Sequence, residues 1–341
     1  MTEPTAPSIH AIAPLRLSFA GGGTDFPHYF EHHGGAVLSA TMDWYAHVTV
    51  HPRADQQIRL RSLDLGHVVE YHVEEEPVYD GILDLAKAAV RRMGVPGGID
   101  MDIRSDAPAG SGLGGSSALV IAMVGALSAL TGRTLSPSEL AETSYTIERV
   151  DLKIPGGMQD QYSAAFGGFN IVEFSSDGVR VVPLNVGETT LVELGRQLLL
   201  CYTGHVRTDL GLIDEQIRLY REGREETLLG MKGLHEMVYA MRDTLETGEI
   251  ERFGQMLHDA YESKKLMNPD VVKGTSTDVL YDRARELGAT GGKICGAGGG
   301  GYLLLHCEPQ HQAAVKEGLE ALDGQFAPFR FNPSGLTIRT E

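Results

Sequence analysis

A run of glycines and hydroxyl side chains, PAGSGLGGSSA at residues 108–118, has the composition of a loop that binds phosphate. Alternating apolar residues just before the run predict a strand, and an apolar stretch just after it predicts a helix. At such a junction the unpaired N–H groups of the first helical turn and the helix dipole attract an anion. The run therefore predicts a phosphate site, although a plain glycine-rich turn capped by serines would have the same composition.

Two common glycine motifs do not fit the chain. A Walker A loop, GxxxxGK[ST], has a lysine at the position that Ser116 occupies here. The run GAGGGG at 296–301 satisfies GxGxxG, but the strand-like segment YLLLHC follows it where a dinucleotide-binding fold has a helix. We therefore expect neither site, and a phosphate at residues 108–118 needs a cation from elsewhere in the chain.

Composition restricts the class of protein. The chain has 341 residues, 42% of them hydrophobic, and a formal net charge of −17, which predict a folded protein whose surface repels nucleic acid and anionic membranes. The longest nearly apolar run, Ser117–Leu130, is too short to cross a bilayer. The first residues lack a secretory signal pattern, and three dispersed cysteines fit a reducing compartment. We expect a cytoplasmic protein without a nucleic-acid or membrane partner.

Local patterns place the candidate residues on strands and helices. Strands are predicted at 36–50, 58–64, 67–73 and 98–106, and a helix at 79–93. One helix should begin near Ser116; a capping box formed by Ser136 and Glu139 should start the next, which carries Glu148. The segment from residue 159 is expected to pass through a loop into a strand and a tight turn.

The second half of the chain has a different pattern. From residue 196 we expect one strand, about three helices between 209 and 287, a glycine-rich turn, a strand, a helix and two short strands. Strands and helices in separate blocks predict an α+β fold rather than a doubly wound parallel sheet. The boundary should lie near residue 190, which gives domains at 1–190 and 191–341.

Three separated segments together resemble the signatures of one family. They are APLRLSFAGGGTD at 13–25, PAGSGLGGSSA at 108–118 and KICGAGGGGY at 293–302, and their order and spacing are similar to those of the GHMP kinases, which include galactokinase, homoserine kinase and mevalonate kinase. Within this family the similarity is greatest to D-glycero-α-D-manno-heptose 7-phosphate kinases, through AGGGTDFP, IERVDLKIPGGMQDQYSAAFGGFN and YTGHVRTD. The resemblance implies an N-terminal domain like domain 2 of ribosomal protein S5 and a ferredoxin-like α+β C-terminal domain.

The resemblance also implies that residues 110–117, called here the phosphate loop, bind ATP together with Mg²⁺. The expected ATP-binding residues are Gly110, Ser111, Gly112, Leu113, Gly114, Gly115, Ser116 and Ser117. Mg²⁺, held by the Ser117 hydroxyl and the Glu148 carboxylate, would replace the missing lysine. Without the resemblance, Glu148 would be interpreted as an ordinary helix-surface acid.

Two residues match the catalytic positions of the galactokinase-like members. Asp160 would accept or orient the proton of the attacking sugar hydroxyl. Arg16 would pair with Asp160 and stabilise charge on the transferring phosphoryl group. From residue type alone, Asp160 could instead cap a turn and Arg16 could lie on a strand surface.

Substrate binding is expected from glycines and two charged residues. The set implied by the resemblance is Gly22, Gly23, Thr24, Asp25, Gly157, Arg207, Gly298 and Gly299. Galactokinase has a Glu-His pair where this chain has Gly22 and Gly23, and the loss of two side chains makes room for a larger sugar. Arg207 is the first candidate for binding a second phosphate, and Lys153 and Lys293 are weaker candidates.

The expected reaction is transfer of the γ-phosphoryl group of ATP to the anomeric hydroxyl of D-glycero-α-D-manno-heptose 7-phosphate. One alternative is a 1-kinase for an unphosphorylated sugar such as fucose, arabinose or galactose, which needs no cationic pocket opposite the phosphate loop. Another is a non-catalytic sugar sensor, which would have lost the acid or the metal ligands. The chain retains Ser117, Glu148 and Asp160, which disfavours the sensor.

Overall fold

The computed structural model describes residues 7–204, 211–271 and 276–341. Arg207 therefore lies outside the described residues. The strands are β1 Ile9–Ala20, β2 Gly35–Pro52, β3 Gln57–Ser62, β4 Val68–His72, β5 Ile99–Ser105, β6 Phe169–Ser175, β7 Gly178–Pro183, β8 Leu198–Tyr202, β9 Ala289–Ile294, β10 Tyr302–Cys307, β11 Gln325–Ala327 and β12 Thr337–Thr340.

Helices alternate irregularly with these strands. They are α1 Pro27–His33, α2 Asp84–Met93, α3 Gly115–Leu130, α4 Pro137–Tyr145, α5 Gln159–Phe166, α6 Glu188–Gln197, α7 Gly211–Arg221, α8 Glu225–Thr247, α9 Ile250–Met267, α10 Ser276–Glu286 and α11 Gln312–Glu320, with a π-helix at Thr146–Asp151 and a 3-10 turn at Pro269–Val271. Within residues 7–204, 211–271 and 276–341, none of the helices is long and apolar enough to span a bilayer.

The strands form two sheets. The larger has the order β12-β1-β2-β5-β3-β4, with β6 paired to β2 and β7 paired to β6; the smaller has the order β11-β8-β10-β9. Among the described strands only β3 and β5 pair in parallel, so the predicted α+β class is confirmed and a doubly wound sheet is excluded. The glycines at 296–301 join the antiparallel strands β9 and β10, which rules out a dinucleotide-binding turn there.

Helix α3 is the centre of the first core. Its residues are apolar on every side, and most of them are buried, including Val120, Ile121 and Val124. Such a helix needs neighbours all round, and α3 packs on β1 and β2 with α2, α4 and α5 beside it. The position of its N-terminus, where the phosphate loop ends, is therefore fixed by the core.

Helix α4 begins as predicted and ends differently. The capping box is present: Ser136 Oγ accepts from Glu139 N at 3.3 Å, and Glu139 Oε2 accepts from Ser136 N at 2.8 Å. After Tyr145 the chain widens into the π-helix, a form often found at functional sites. There Glu148 is buried while Val150 is exposed, so Glu148 is not the surface acid that an isolated α-helix would present.

Three predictions of elements are wrong. Helix α2 begins at Asp84 rather than near 79, because Lys87 Nζ binds Val78 O at 2.7 Å and Asp80 Oδ1 at 2.6 Å and holds the preceding residues in a turn. The segment from 159 forms α5, not a loop. The described residues between 211 and 286 form four α-helices where about three were expected, and β9 was not predicted.

The two ends of the chain meet in the larger sheet. β12 pairs antiparallel with β1 on the side opposite β2, with Ile9 across from Thr340 and Ile12 across from Thr337. The last strand therefore belongs to the sheet that the first strand begins. The division at residue 190 stays a prediction.

We expect Gly291→Ala to destabilise the protein by about 1–3 kcal/mol, because a new methyl group must be forced into a packed interface. A Cβ at Gly291 in β9 would lie 1.8 Å from Gly254 O of α9. Thermal unfolding of the variant and of a Gly97→Ala control, where a Cβ has nothing within 4 Å, measures the effect. Equal melting temperatures would show that α9 can move away from β9.

Candidate active site

A cleft of about 690 Å³ is lined by residues from both halves of the chain. From the first half come Arg16, the Gly22–Gly23 turn, the phosphate loop and the start of α5. From the second half come residues of α7, α9 and the β9–β10 connection, namely Ile213, Gln216, Lys264, Met267, Gly296 and Ala297. The three signature segments therefore meet in one cavity, although they are far apart in the sequence.

The phosphate loop lies at the junction that the sequence predicted. Six of its eight predicted residues line the cleft: Gly110, Ser111, Gly112, Gly114, Gly115 and Ser116. Leu113 is buried, and its carbonyl accepts from Arg16 N at 3.0 Å, which attaches the loop to β1. No side chain caps the N-terminus of α3 at Gly114, so the N–H groups of the first turn can bind an anion.

The predicted metal ligands lie together. Ser117 Oγ donates to Glu148 Oε2 at 2.8 Å, and Ser116 Oγ donates to Glu148 Oε1 at 3.3 Å. Gln161 Nε2, which sequence reasoning missed, donates to the same carboxylate and lies 3.2 Å from Ser117 Oγ. A carboxylate flanked by hydroxyls offers the hard oxygen ligands that Mg²⁺ prefers.

Glu148 is almost completely buried, with 1% of its surface exposed. Burial raises the pKa of Glu148 above its ordinary value, and the opposing effects of Arg149 and of the hydrogen bonds from Ser117 and Gln161 are smaller. Arg149 Nη1 is 3.7 Å from Glu148 Oε1, too long for a hydrogen bond. The buried carboxylate is thus incompletely neutralised by the protein, and these residues fit a divalent cation.

Arg16 and Asp160 form an ion pair beside the phosphate loop. Arg16 Nε and Nη2 lie 2.8 Å and 2.7 Å from Asp160 Oδ1, and Nη1 donates to Gly112 O at 2.6 Å. The arginine side chain is 5% exposed, whereas that of Asp160 is 24% exposed and lines the cleft. Both contacts are to Oδ1, so the ion pair does not use Oδ2. One arginine therefore joins β1, the loop and α5.

Asp25 lies in the wall of the cleft and is held by three N–H groups. Its Oδ1 accepts from Gly23 N at 2.9 Å, and its Oδ2 accepts from the backbone N and the side-chain Nε2 of Gln159 at 3.1 Å and 3.2 Å. Burial raises the pKa of Asp25 above its ordinary value, against these hydrogen bonds. Gly157 must be glycine for this arrangement, because a Cβ there would lie 1.9 Å from Asp25 Oδ2.

The turn before Asp25 is less open than the sequence suggested. A Cβ at Gly22 would have its nearest neighbour at 3.5 Å, whereas one at Gly23 would lie 2.8 Å from both Gln216 Nε2 and Met267 Sδ. A methyl group would therefore fit without strain at Gly22 but not at Gly23. Thr24 does not line the cleft: it is fully buried, and its hydroxyl donates to Gly21 O and Ala36 O.

The third signature segment contacts the phosphate loop through its ends. Tyr302 N donates to Ser111 O at 3.1 Å, and Gly296 and Ala297 line the cleft. Gly298 and Gly299, predicted to bind substrate, instead pack on Val271, with Gly299 N donating to Val271 O at 3.0 Å. The backbone that faces a ligand is thus at Gly296 and Ala297, two residues earlier than expected.

The cations at the cleft differ from those predicted. Lys293 is buried, and its Nζ donates to Ser18 O at 2.5 Å rather than lining the cleft; Lys153 is exposed outside it. Lys264 and Arg149 line the cleft instead, and Lys264 Nζ donates to Gly296 O. The sequence carries a signal for Lys264, because it falls on the buried face of α9 with Leu257 and Tyr261 at helical spacing.

We expect the free energy of unfolding of the wild type to rise relative to that of the Lys293→Met variant as pH increases from 7 to 9.5. Burial lowers the pKa of Lys293 from 10.5 to about 8, so between these values the unfolded chain binds a proton that the folded protein has released, which favours folding as pH rises. Melting temperatures across this range measure the difference. Lys153→Met, an exposed lysine, should follow the wild type, and a Lys293→Met profile parallel to both would contradict the expectation.

Comparison with known proteins finds relatives that match most of the chain. Residues 80–168 match the model of the GHMP kinases N terminal domain, and residues 241–323 match that of the GHMP kinases C terminal. The chain is 33% identical over 335 residues to D-glycero-alpha-D-manno-heptose 7-phosphate kinase from Campylobacter jejuni, covering 96% of this chain and 98% of the relative.

Solved structures agree with these matches. A D-glycero-D-manno-heptose 1-phosphate kinase from Bacteroides thetaiotaomicron is 30% identical, with a TM-score of 0.80 and coverage of 97% of this chain and 98% of that one. Lactococcus lactis galactokinase complexed with galactose has the same TM-score of 0.80 at 19% identity, covers 97% and 95% of the two chains, and shows the shared fold alone. The chain belongs to the GHMP kinase family.

Proposed function

We propose that this ATP-dependent sugar kinase phosphorylates the anomeric hydroxyl of D-glycero-α-D-manno-heptose 7-phosphate and forms the 1,7-bisphosphate. The observation that carries the proposal is the Arg16–Asp160 ion pair, which contacts the phosphate loop at Gly112 and adjoins Gln159, whose N–H binds Asp25 of the Gly22–Asp25 turn. A sugar on the turn and a triphosphate on the loop would meet at this pair. The cytoplasm, where ATP is available, is the expected compartment.

The donor end of the cleft suits ATP. The phosphate loop offers its backbone N–H groups, and an apolar wall beyond it would contact the base. That wall contains Leu65, Leu83, Leu85, Ile103, Ala107, Leu119 and Met123. Ser117 and Glu148 would hold Mg²⁺, which when bound neutralises charge on the triphosphate.

The chain's own residues account for the transfer. Asp160 would accept the proton of the C1 hydroxyl as the oxygen attacks the γ-phosphorus, and the bond from that phosphorus to the β–γ bridging oxygen would break. Arg16 would stabilise the negative charge on the transferring group and hold Asp160 in place. The wall that α9 and the β9–β10 connection contribute would shield the transferring phosphoryl group from water, which otherwise competes for it.

The acceptor end has features that support a phosphorylated heptose. Gly22 and Gly23 carry no side chains toward the acceptor, and Lys264 supplies a cation at the cleft wall. Arg207 stays a candidate outside the described residues. The relative at 33% identity acts on a heptose 7-phosphate. Retention of Ser117, Glu148 and Asp160 in contact with one another or with Arg16 argues against a sensor.

ADP release from MgATP by the purified protein tests the proposal. We expect heptose 7-phosphate to be preferred over mannose, fucose, arabinose and galactose by about 10-fold or more in kcat/KM. Asp160→Asn should lower kcat by about 10²- to 10⁴-fold, whereas Asp177→Asn, an exposed acid in the β6–β7 turn, should not change it.

The outcomes separate the alternatives. If the enzyme prefers an unphosphorylated sugar and Asp160→Asn abolishes its turnover, the proposed kinase mechanism stands and the proposed substrate is wrong. Turnover that is indifferent to Asp160→Asn would refute the assigned mechanism. Sugar binding without any turnover would favour a sensor.

A further inference from the structure

Two glutamines in the wall of the cleft have hydrogen-bonding capacity that the protein does not use. The buried atoms Gln159 Oε1 and Gln216 Nε2 have no partner within the parts of the chain that the structure describes. Both side chains line the cleft, one from α5 and the other from α7. Buried polar atoms are normally paired, because an unpaired one costs about 1–3 kcal/mol. Among the buried unpaired side-chain atoms of the described residues, these two are the ones whose side chains line the cleft, where a ligand can supply the missing partner.

The orientation of the Gln159 amide is fixed by its neighbour. Its Nε2 lies 3.2 Å from Asp25 Oδ2, and the same oxygen accepts from Gln159 N. An ionised carboxylate can only accept hydrogen bonds, so the nitrogen must face Asp25 and the amide oxygen must face away from it. Gln159 therefore presents an acceptor.

Gln216 presents a donor on the other side of the same turn. Its side chain is 94% buried, since the residue is 6% exposed, and its Nε2 lies so close to Gly23 that a Cβ there would be 2.8 Å away. Gln159 Nε2 lies near Gly22 in the same way, because a Cβ built at Gly22 would be 3.5 Å from it. The two amides thus lie against successive residues of one turn, and each belongs to a different half of the chain.

We propose that Gln159 and Gln216 form an amide pair that determines acceptor specificity by binding hydroxyl groups of the sugar. The proposal rests on the proposed function, because it takes the Gly22–Gly23 turn as the acceptor end of the cleft. A hydroxyl group both donates and accepts a hydrogen bond, so the hydroxyls of a sugar can pair with the oxygen of one amide and the nitrogen of the other. A phosphoryl acceptor without hydroxyls at this turn would leave Gln159 Oε1 and Gln216 Nε2 unpaired.

Such a pair gives strong selectivity at a cost in stability. A site built to hydrogen-bond a hydroxyl rejects an analogue that lacks it, because the buried polar group is then left unpaired. Gln216→Leu has a similar volume and removes the unpaired donor, so folding should not suffer. A residue that served packing alone would show the opposite pattern, with lower stability and unchanged selectivity.

Steady-state kinetics of Gln216→Leu with the best acceptor and its monodeoxy analogues tests the proposal. We expect the acceptor KM to rise about 10- to 100-fold, with kcat and the KM for ATP within about 3-fold of the wild type. The wild type should discriminate against one deoxy analogue, and the variant should lose that discrimination. The melting temperature of the ligand-free variant should equal or exceed that of the wild type.

Gln255→Leu is the matched control, because Gln255 is exposed on α9 and bonds only Asp259 among the described contacts. It should leave all kinetic constants unchanged. The proposal would be overturned by a folded Gln216→Leu variant whose KM for the sugar equals that of the wild type. It would also be overturned if the variant lost the same factor in kcat/KM with the sugar and with every deoxy analogue. If Gln216→Leu fails to fold, Gln216→Met takes its place under the same criteria.

Failure of the proposed function would be visible separately, as absence of turnover by the wild type with every sugar. In that case thermal shifts of wild type and Gln216→Leu with the same sugars decide the matter. A rise in melting temperature that requires one particular hydroxyl of the sugar, and that is absent from Gln216→Leu, supports the proposed amide pair. Shifts that are equal in both proteins, or absent from both, overturn it.

Discussion

The first turn of α5 is the constraint on which the site depends. Successive residues of an α-helix point about 100° apart, so Gln159, Asp160 and Gln161 project in three directions. Gln159 binds Asp25 of the Gly22–Asp25 turn, Asp160 pairs with Arg16 of β1, and Gln161 binds Glu148. Three parts of the cleft are thus fixed relative to one another by a single helical turn.

The turn can serve this purpose because the core holds the helix behind it. Tyr162 and Ala164 are buried, and α5 packs against α3, α4 and β1. The phosphate loop leads into α3, the π-helix with Glu148 continues α4, and β1 carries Arg16. The distances among the polar groups are therefore set by apolar packing several ångströms away, which gives preorganisation without a network of exposed salt bridges.

Local signals in the sequence predict part of this arrangement. The strands, the capping box and the loop at residues 108–118 depend on neighbouring residues, so periodicity and capping patterns reveal them. Helix α5 was missed because it has only eight residues between glycine-rich segments, and without it the separate directions of Gln159 and Gln161 could not be foreseen. Long-range packing decides the rest: it buries Lys293, brings Lys264 to the cleft and turns Thr24 away from it.

The pairing of β12 with β1 links residues 9–12 to residues 337–340. β1 carries Arg16, so the strand that supplies the arginine has an unpaired edge until residues more than three hundred positions later have been synthesised. Contacts of such sequence separation form slowly, and an open strand edge is prone to pair with other chains meanwhile. The edge of β1 at residues 9–12 is therefore protected from such pairing only once β12 has joined the sheet.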